Sequence, residues 1–192
     1  MTPWMERLSH VHPAVPLLLY APVIAVFSWR ALAAGGVWQT LMQLVAGVIV
    51  WTLVEYVLHR WVFHYEPRTE WGKRIHFLSH GVHHDYPRDS TRLVMPPAVS
   101  LPLAVLFWAS FTLLAGRYAD GLFAGFALGY LAYDMIHFAT HHWPMHGRVG
   151  RALKRYHLLH HYDDDHAGFG VSSPLWDAVF GTLPQRTKGA KR

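Results

Sequence analysis

Residues 31–64 read ALAAGGVWQTLMQLVAGVIVWTLVEYVLHRWVFH. From Ala31 to Val54 there is no charged side chain, and that run is longer than the roughly 20 apolar residues a helix needs to cross a bilayer. The run ends at Glu55, and His59 and His64 follow at once. An apolar helix that opens directly onto histidines points to a membrane protein with chemistry at its boundary. Working outward, Val11–Trp29 holds no Asp, Glu, Lys or Arg, and Leu93–Gly116 is uncharged. The helix of that third segment is predicted to begin after Pro97, because Pro96 and Pro97 disfavour helical geometry upstream. Gly121–Ile136 carries only Asp134. The alternative, a buried helical hairpin in a soluble protein, fits poorly with runs this long and this numerous.

The expected fold is therefore all-α and integral to the membrane, with about four transmembrane helices and a cytoplasmic, histidine-rich helical cap. Residues 1–192 are expected to form one membrane-embedded domain whose motif-bearing core covers about 55–182. Composition agrees: 52% of residues are hydrophobic and 15% charged, against about 25% charged in ordinary soluble domains. With no cysteine, disulfides, thiolate zinc sites and iron–sulfur clusters are excluded. The N-terminal MTPWMERLSHVHP has no basic region followed by a small-residue cleavage site, so no cleavable signal peptide is expected.

Charge then orients the chain. With the N-terminus inside, all of the 17 lysines and arginines except Arg30 and Arg117 fall on the cytoplasmic side, including Arg7 and the C-terminal Arg186, Lys188, Lys191 and Arg192. This is the positive-inside pattern. Both termini and the active site are expected in the cytoplasm, at the inner membrane of a bacterium or the endoplasmic reticulum of a eukaryote. No nucleic-acid partner is expected, since the basic residues do not interleave with aromatics in any recognition module.

The histidines played no part in that topology, yet every cluster lies on its cytoplasmic side. In HFLSHGVHHDYPRD, residues 76–89, His76, His80, His83 and His84 form one helical stripe. His80, His83 and His84 are spaced i, i+3, i+4; His157, His160 and His161 repeat the pattern, and His137 and His141 are i, i+4. Each set presents imidazoles on one face. His59 and His64 differ, lying roughly 140° apart on an α-helix, so they need a break in the helix to converge. Together His59, His64, His80, His83, His84, His137, His141, His157, His160 and His161 are too many ligands for one ion and suit two. No catalytic group beyond these ligands is identified. Glu55, Asp134 and His76 are candidates to orient ligating imidazoles through their second ring nitrogen. His142 is a similar case beside His141. His10, His12, His146 and His166 stand outside the clusters. Imidazole accommodates zinc, copper, iron and nickel, so ligand type alone leaves the metal open.

HRWVFH, HFLSHGVHH, HFATHH and YHLLHH together resemble the fatty acid hydroxylase and sterol desaturase superfamily of histidine-rich dimetal membrane oxygenases. EYVLHRWVFH, HGVHHDYPRDSTRLVMPP and GFGVSSPLWDAVFGT are most similar to fatty acid 2-hydroxylases, which act on the acyl chains of sphingolipids. The resemblance implies a di-iron monooxygenase that uses O2 and hydroxylates lipid acyl chains, with zinc possible in a purified sample. Its partners would be a membrane lipid or acyl-chain substrate and, lacking the N-terminal haem domain of fuller members, a separate electron-transfer protein. Attack on an unactivated C–H bond needs redox chemistry that zinc lacks. Arg92 is a candidate to pair with the substrate head group, or else to anchor the loop to lipid phosphates. Phe107, Trp108 and Phe111 either line the path of the acyl chain or serve packing. A sterol or carotenoid hydroxylase, or a desaturase, would use the same ligands. A metal transporter is disfavoured, because transporters place ionisable ligands near the bilayer midplane.

Overall fold

The computed structural model describes residues 9–184, so Arg7 and the basic residues from Arg186 onward lie outside the described residues. In chain order the helices are α1 (Ala14–Val57), α2 (Glu70–His76), α3 (Val82–Asp85), α4 (Pro97–Ala115), α5 (Ala119–His142), α6 (Gly147–Tyr162) and α7 (Leu175–Phe180). Two π-helical turns, Leu58–Phe63 and Phe77–Gly81, continue α1 and α2. Among the described residues there is no strand.

Helix α1 is two rods. Gly36, at φ 72° and ψ 179°, interrupts it with a backbone conformation that side chains rarely adopt. The chain folds back there: Tyr20 and Trp51 both pack edge-on against Tyr130, at 4.7 and 5.3 Å between ring centroids. Along a straight helix these two residues would stand roughly 45 Å apart. Gly116, at φ 53°, ends α4 in the same way, and Phe107 returns against Phe126 at 4.4 Å. The result is four helical rods around an aromatic core of Tyr20, Trp51, Phe126, Tyr130 and Tyr133. The first reversal lies at Gly36 rather than beside Arg30, because a tight reversal needs positive φ and glycine supplies it without a Cβ clash. The third rod starts at Pro97, with proline at the first helical position. The fourth is longer than the apolar run suggested, and carries His137 and His141 inside the helix.

The second arm of α1 and helix α5 touch backbone to backbone. A Cβ added at Gly47 would lie 2.2 Å from the Leu122 carbonyl oxygen, and one at Gly125 would lie 2.1 Å from that of Leu44. Small residues at a crossing let two helices approach where apolar burial supplies little driving force. Around this core, Leu18, Trp38, Met42, Leu113 and Leu114 point outward and are exposed. Ala14–Phe63 and Pro97–His142 are each long and apolar enough to cross a membrane. Arg30 pairs with Asp120 at 3.0 Å at the end where the two glycine reversals lie, and Arg117 sits in the reversal itself. The histidine-bearing segments occupy the other end, together with the start of the described chain, where the Val11 amide donates to the Thr91 carbonyl at 2.7 Å.

Candidate metal centre

The break that His59 and His64 require is a π-turn. The His64 amide donates to the His59 carbonyl, five residues back, at 3.2 Å. Widening the turn by one residue brings the two rings from nearly opposite faces to 5.1 Å between centroids. The second π-turn, Phe77–Gly81, interrupts the stripe expected from His76 to His84. His76 is turned away to the Phe63 carbonyl, at 2.5 Å.

Ten imidazoles then converge as two sets of five. His59, His64, His80, His84 and His160 form one; His83, His137, His141, His157 and His161 form the other; within each set the potential ligand atoms lie within 4.8 Å of one another. The two i, i+3, i+4 triplets are each divided between the sets, with opposite allegiance. His80 and His84 share the first set while His83 crosses to the second; His157 and His161 share the second while His160 crosses to the first. His142 is in neither set, and its ring stacks on Phe138 at 4.9 Å.

The spacing within each set matches a coordination shell. Nε2 to Nε2 distances are 3.1 Å for His64–His160, 3.3 Å for His64–His80 and 2.8 Å for His80–His84. In the second set they are 2.9 Å for His83–His137, 2.8 Å for His141–His157 and 3.1 Å for His157–His161. Ligands at metal–nitrogen bonds of about 2.1 Å, set at right angles, lie about 3.0 Å apart. Nitrogen lone pairs packed this closely repel unless a cation or shared protons lie between them. The donors are also in the right state. Burial, followed by repulsion from neighbouring imidazoles, drives His80, His83, His157 and His161 well below the usual histidine range. The same causes pull His64 and His84 down to about 3. Neutral imidazole is the metal-binding form.

A pH dependence follows for the metal-free protein. His64 and His84 resist protonation until about pH 3, whereas in an unfolded chain they take up protons near pH 6.5. The folded state binds fewer protons between those values, so stability is fully present above pH 6.5 and declines as pH falls below it. Melting of the metal-free protein in detergent is expected to stay nearly level from pH 7.5 to about pH 6.5 and to move down from there to pH 5. A midpoint that stayed level across that range would contradict the buried, neutral histidines.

The carboxylates act at one remove from the rings. Glu55 touches no imidazole: it accepts from the backbone amides of Val171, at 2.7 Å, and Ser172, at 2.8 Å, and from the Ser172 hydroxyl. Asp134 accepts from the Tyr130 hydroxyl at 2.9 Å and the Met95 amide at 3.3 Å. The direct carboxylate–imidazole bonds expected of both are absent, because each carboxylate is already committed to backbone of a neighbouring segment. The ring partners are carbonyls: His59 Nδ1 donates to Phe169 at 2.6 Å and His160 Nδ1 to Ala167 at 2.8 Å. Asp177, which sequence reasoning passed over, is fully buried and accepts from the amides of Phe169 and Gly170 at 2.9 and 2.8 Å. A glycine-flanked loop followed by an aspartate in a short helix was the available signal.

Arg92 is an anchor within the protein. Its guanidinium binds Asp89 at 3.0 Å, Ser9 at 3.2 Å and His10 at 2.8 Å. It also borders a small cavity of about 30 Å³ whose walls include Phe63, His80, His83, Met95 and His137. Met95 is shared with an apolar cavity of about 20 Å³ among Tyr20, Trp51, Phe107, Phe126 and Tyr130. Tyr20 and Phe123 are shared in turn with a larger apolar cleft, about 190 Å³, beside Phe27 and Trp108. Phe107 and Trp108 thus line cavities between the rods, while Phe111 packs on Phe126 at 5.6 Å.

Comparison with known proteins adds to this geometry. The fatty acid hydroxylase family model matches residues 44–182. A dihydroceramide fatty acyl 2-hydroxylase of Arabidopsis thaliana is 41% identical over 173 residues, covering 89% of this chain and 73% of the relative. A ceramide very long chain fatty acid hydroxylase of Saccharomyces cerevisiae is 47% identical over 140 residues, 71% of this chain but 36% of the relative. A solved structure of full-length scs7p, with only its hydroxylase domain visible, superposes with a TM-score of 0.89 at 38% identity, covering 98% of this chain and 73% of that one.

Proposed function

The chain belongs to the fatty acid hydroxylase family, and from that premise we propose that it is a membrane-bound oxygenase that hydroxylates carbon 2 of a lipid acyl chain. The observation that carries the reading is the pair of five-imidazole sets lying against a cavity that adjoins the apolar interior through Met95. His59, His64, His80, His84 and His160 would hold one ion and His83, His137, His141, His157 and His161 a second. Iron in these positions, with O2, supplies the redox chemistry that an unactivated C–H bond requires. The overall change inserts one oxygen atom into the C–H bond and releases the other as water, consuming two electrons and two protons. The electrons come from a separate carrier protein, and the exposed Arg68, Lys73, Arg74, Arg148, Arg151 and Arg155 suit an acidic docking surface.

The protein's own contribution is to place the substrate. Tyr20, Trp51, Phe107 and Phe126 line apolar space between the rods. An acyl chain seated in the cleft of about 190 Å³ beside Tyr20, Phe27 and Trp108, with its carboxyl or amide end toward the histidine boundary, would bring the carbon beside that head group nearest the ligands. Named relatives that hydroxylate fatty acyl groups at position 2 favour this over a sterol or carotenoid substrate. Residues 1–192 would work as one membrane-embedded domain, with its motif-bearing core at about 55–182. Expression in a lipid-producing host, followed by mass spectrometry, tests the reading. New 2-hydroxy acyl species are expected; a ring-hydroxylated terpenoid, or a new double bond with no 2-hydroxy product, would overturn it.

The topology belongs to the same reading. Each of the two long apolar stretches crosses the membrane twice, reversing at Gly36 and Gly116, with the histidine end and both termini in the cytoplasm. The distribution of basic residues supports it. A reporter fused after Arg192 is expected to be cytoplasmic, and one inserted between Gly35 and Gly36 to lie across the membrane. Both reporters on one side would refute the four crossings.

A further inference from the structure

We infer that Asp177 and Glu55 are positioning residues that act through the loop of residues 167–172 to make the first histidine set the tighter metal position, so that two ions load one after the other. The inference rests on the proposed reading that both sets hold metal. Four consecutive backbone amides in the loop point at two carboxylates. Asp177 takes Phe169 on one oxygen and Gly170 on the other, at 2.9 and 2.8 Å. Glu55 takes Val171 and Ser172 on a single oxygen, at 2.7 and 2.8 Å. Both carboxylates are buried. Asp177 is also tied to the Thr182 hydroxyl at 2.8 Å. The loop has little room to shift, since a Cβ at Gly170 would lie 2.1 Å from the Ser173 carbonyl oxygen.

With its amides held on one side, the loop presents carbonyls to the rings. Ala167 and Phe169 each accept from an Nδ1–H, of His160 and His59 respectively. A neutral imidazole has one ring proton. Fixing it on Nδ1 leaves the Nε2 lone pair for a metal, and the carbonyl raises the basicity of that ligand. The Nε2 of His59 is buried and makes no hydrogen bond of its own, as expected of an atom kept for a ligand. Both rings belong to the first set. In the second set, the Nδ1 atoms of His83 and His157 are buried and make no hydrogen bond. No carbonyl fixes the proton of these two rings, so their lone pairs are not committed to Nε2 in advance; of the same set, His137 has the Leu93 backbone within reach. The two positions are alike in ligand count and unlike in preorganisation.

Titration of the metal-free protein in detergent with Co2+, followed by ligand-field absorption and calorimetry, tests this. Wild type is expected to bind in two resolved steps, with His64→Ala removing the tighter and His161→Ala the weaker. Asp177→Asn puts an NH2 group against one of the two loop amides, and is expected to weaken the tight step about 10- to 100-fold while leaving the weak step unchanged. Glu55→Ala should do the same. Glu55→Gln should largely restore it, because its carbonyl can accept both amides and its NH2 can donate to the Ser172 hydroxyl. If Asp177→Asn does not fold, Ser172→Ala and Thr182→Val test the same clamp through milder losses confined to the tight step. Two equal steps in wild type, or equal weakening of both steps in the clamp variants, would overturn the inference. Absence of Co2+ binding altogether would instead remove the proposed function beneath it.

Discussion

Replacement of His160 by alanine is expected to abolish hydroxylation and leave the purified protein one metal ion short, with the loss in the first set. His160 has no exposed surface, and its two nitrogens serve different partners: Nδ1 the Ala167 carbonyl and Nε2 the cluster beside His64. Alanine removes a ligand and also strands a buried carbonyl, which costs about 1–3 kcal/mol on its own. His83→Ala should be equally inactive but lose the ion of the second set, since its Nε2 faces His137 at 2.9 Å. Replacing His146, which precedes α6 and is exposed, should change neither metal content nor activity appreciably. Metal analysis and product formation on the same purified samples decide the matter. Normal turnover by His160→Ala would sink the ligand assignment.

Gly125→Leu is expected to prevent the protein from accumulating in folded form. The side chain would start 2.1 Å from the Leu44 carbonyl oxygen and 2.7 Å from its carbonyl carbon. These are backbone atoms of the facing rod, so no flexible side chain can yield, and the helices must separate. Even Gly125→Ala should cost at least the roughly 1–3 kcal/mol typical of overpacking. Separation would also carry His137 and His141, on the same helix, away from the rest of their set. Gly36→Ala is an informative contrast: an added Cβ there meets nothing within 4 Å. Only the backbone conformation, φ 72° with ψ 179°, opposes it, at about 1–3 kcal/mol, so a folded but less stable protein is expected. Yield and thermal melting in detergent compare the variants. A Gly125→Leu protein that melted like wild type would show that the two rods do not cross there.

What the sequence determined by itself was the class of the molecule and the identity of its chemistry. Uncharged runs such as Ala31–Val54 signal helices that bury themselves in lipid, because hydrogen-bonded backbone and apolar side chains are local properties. The i, i+3, i+4 triplets at His80 and His157 were equally local. The tertiary structure alone divided each triplet between the two sets of five imidazoles, since which ring faces which neighbour depends on how helices from distant parts of the chain are juxtaposed. It also supplied the π-turn that joins His59 to His64, a hydrogen-bond register that no residue type encodes. Arg92, whose charge and position suggested a head-group contact, is taken up by Asp89, Ser9 and His10. Glu55 is the sharpest case. Its place one turn before His59 suggested a direct bond to that ring, yet it reaches His59 only through the Phe169 carbonyl of a loop more than a hundred residues away. A carboxylate's need for partners is written in its chemistry, but which partners meet it is settled only when the chain closes on itself.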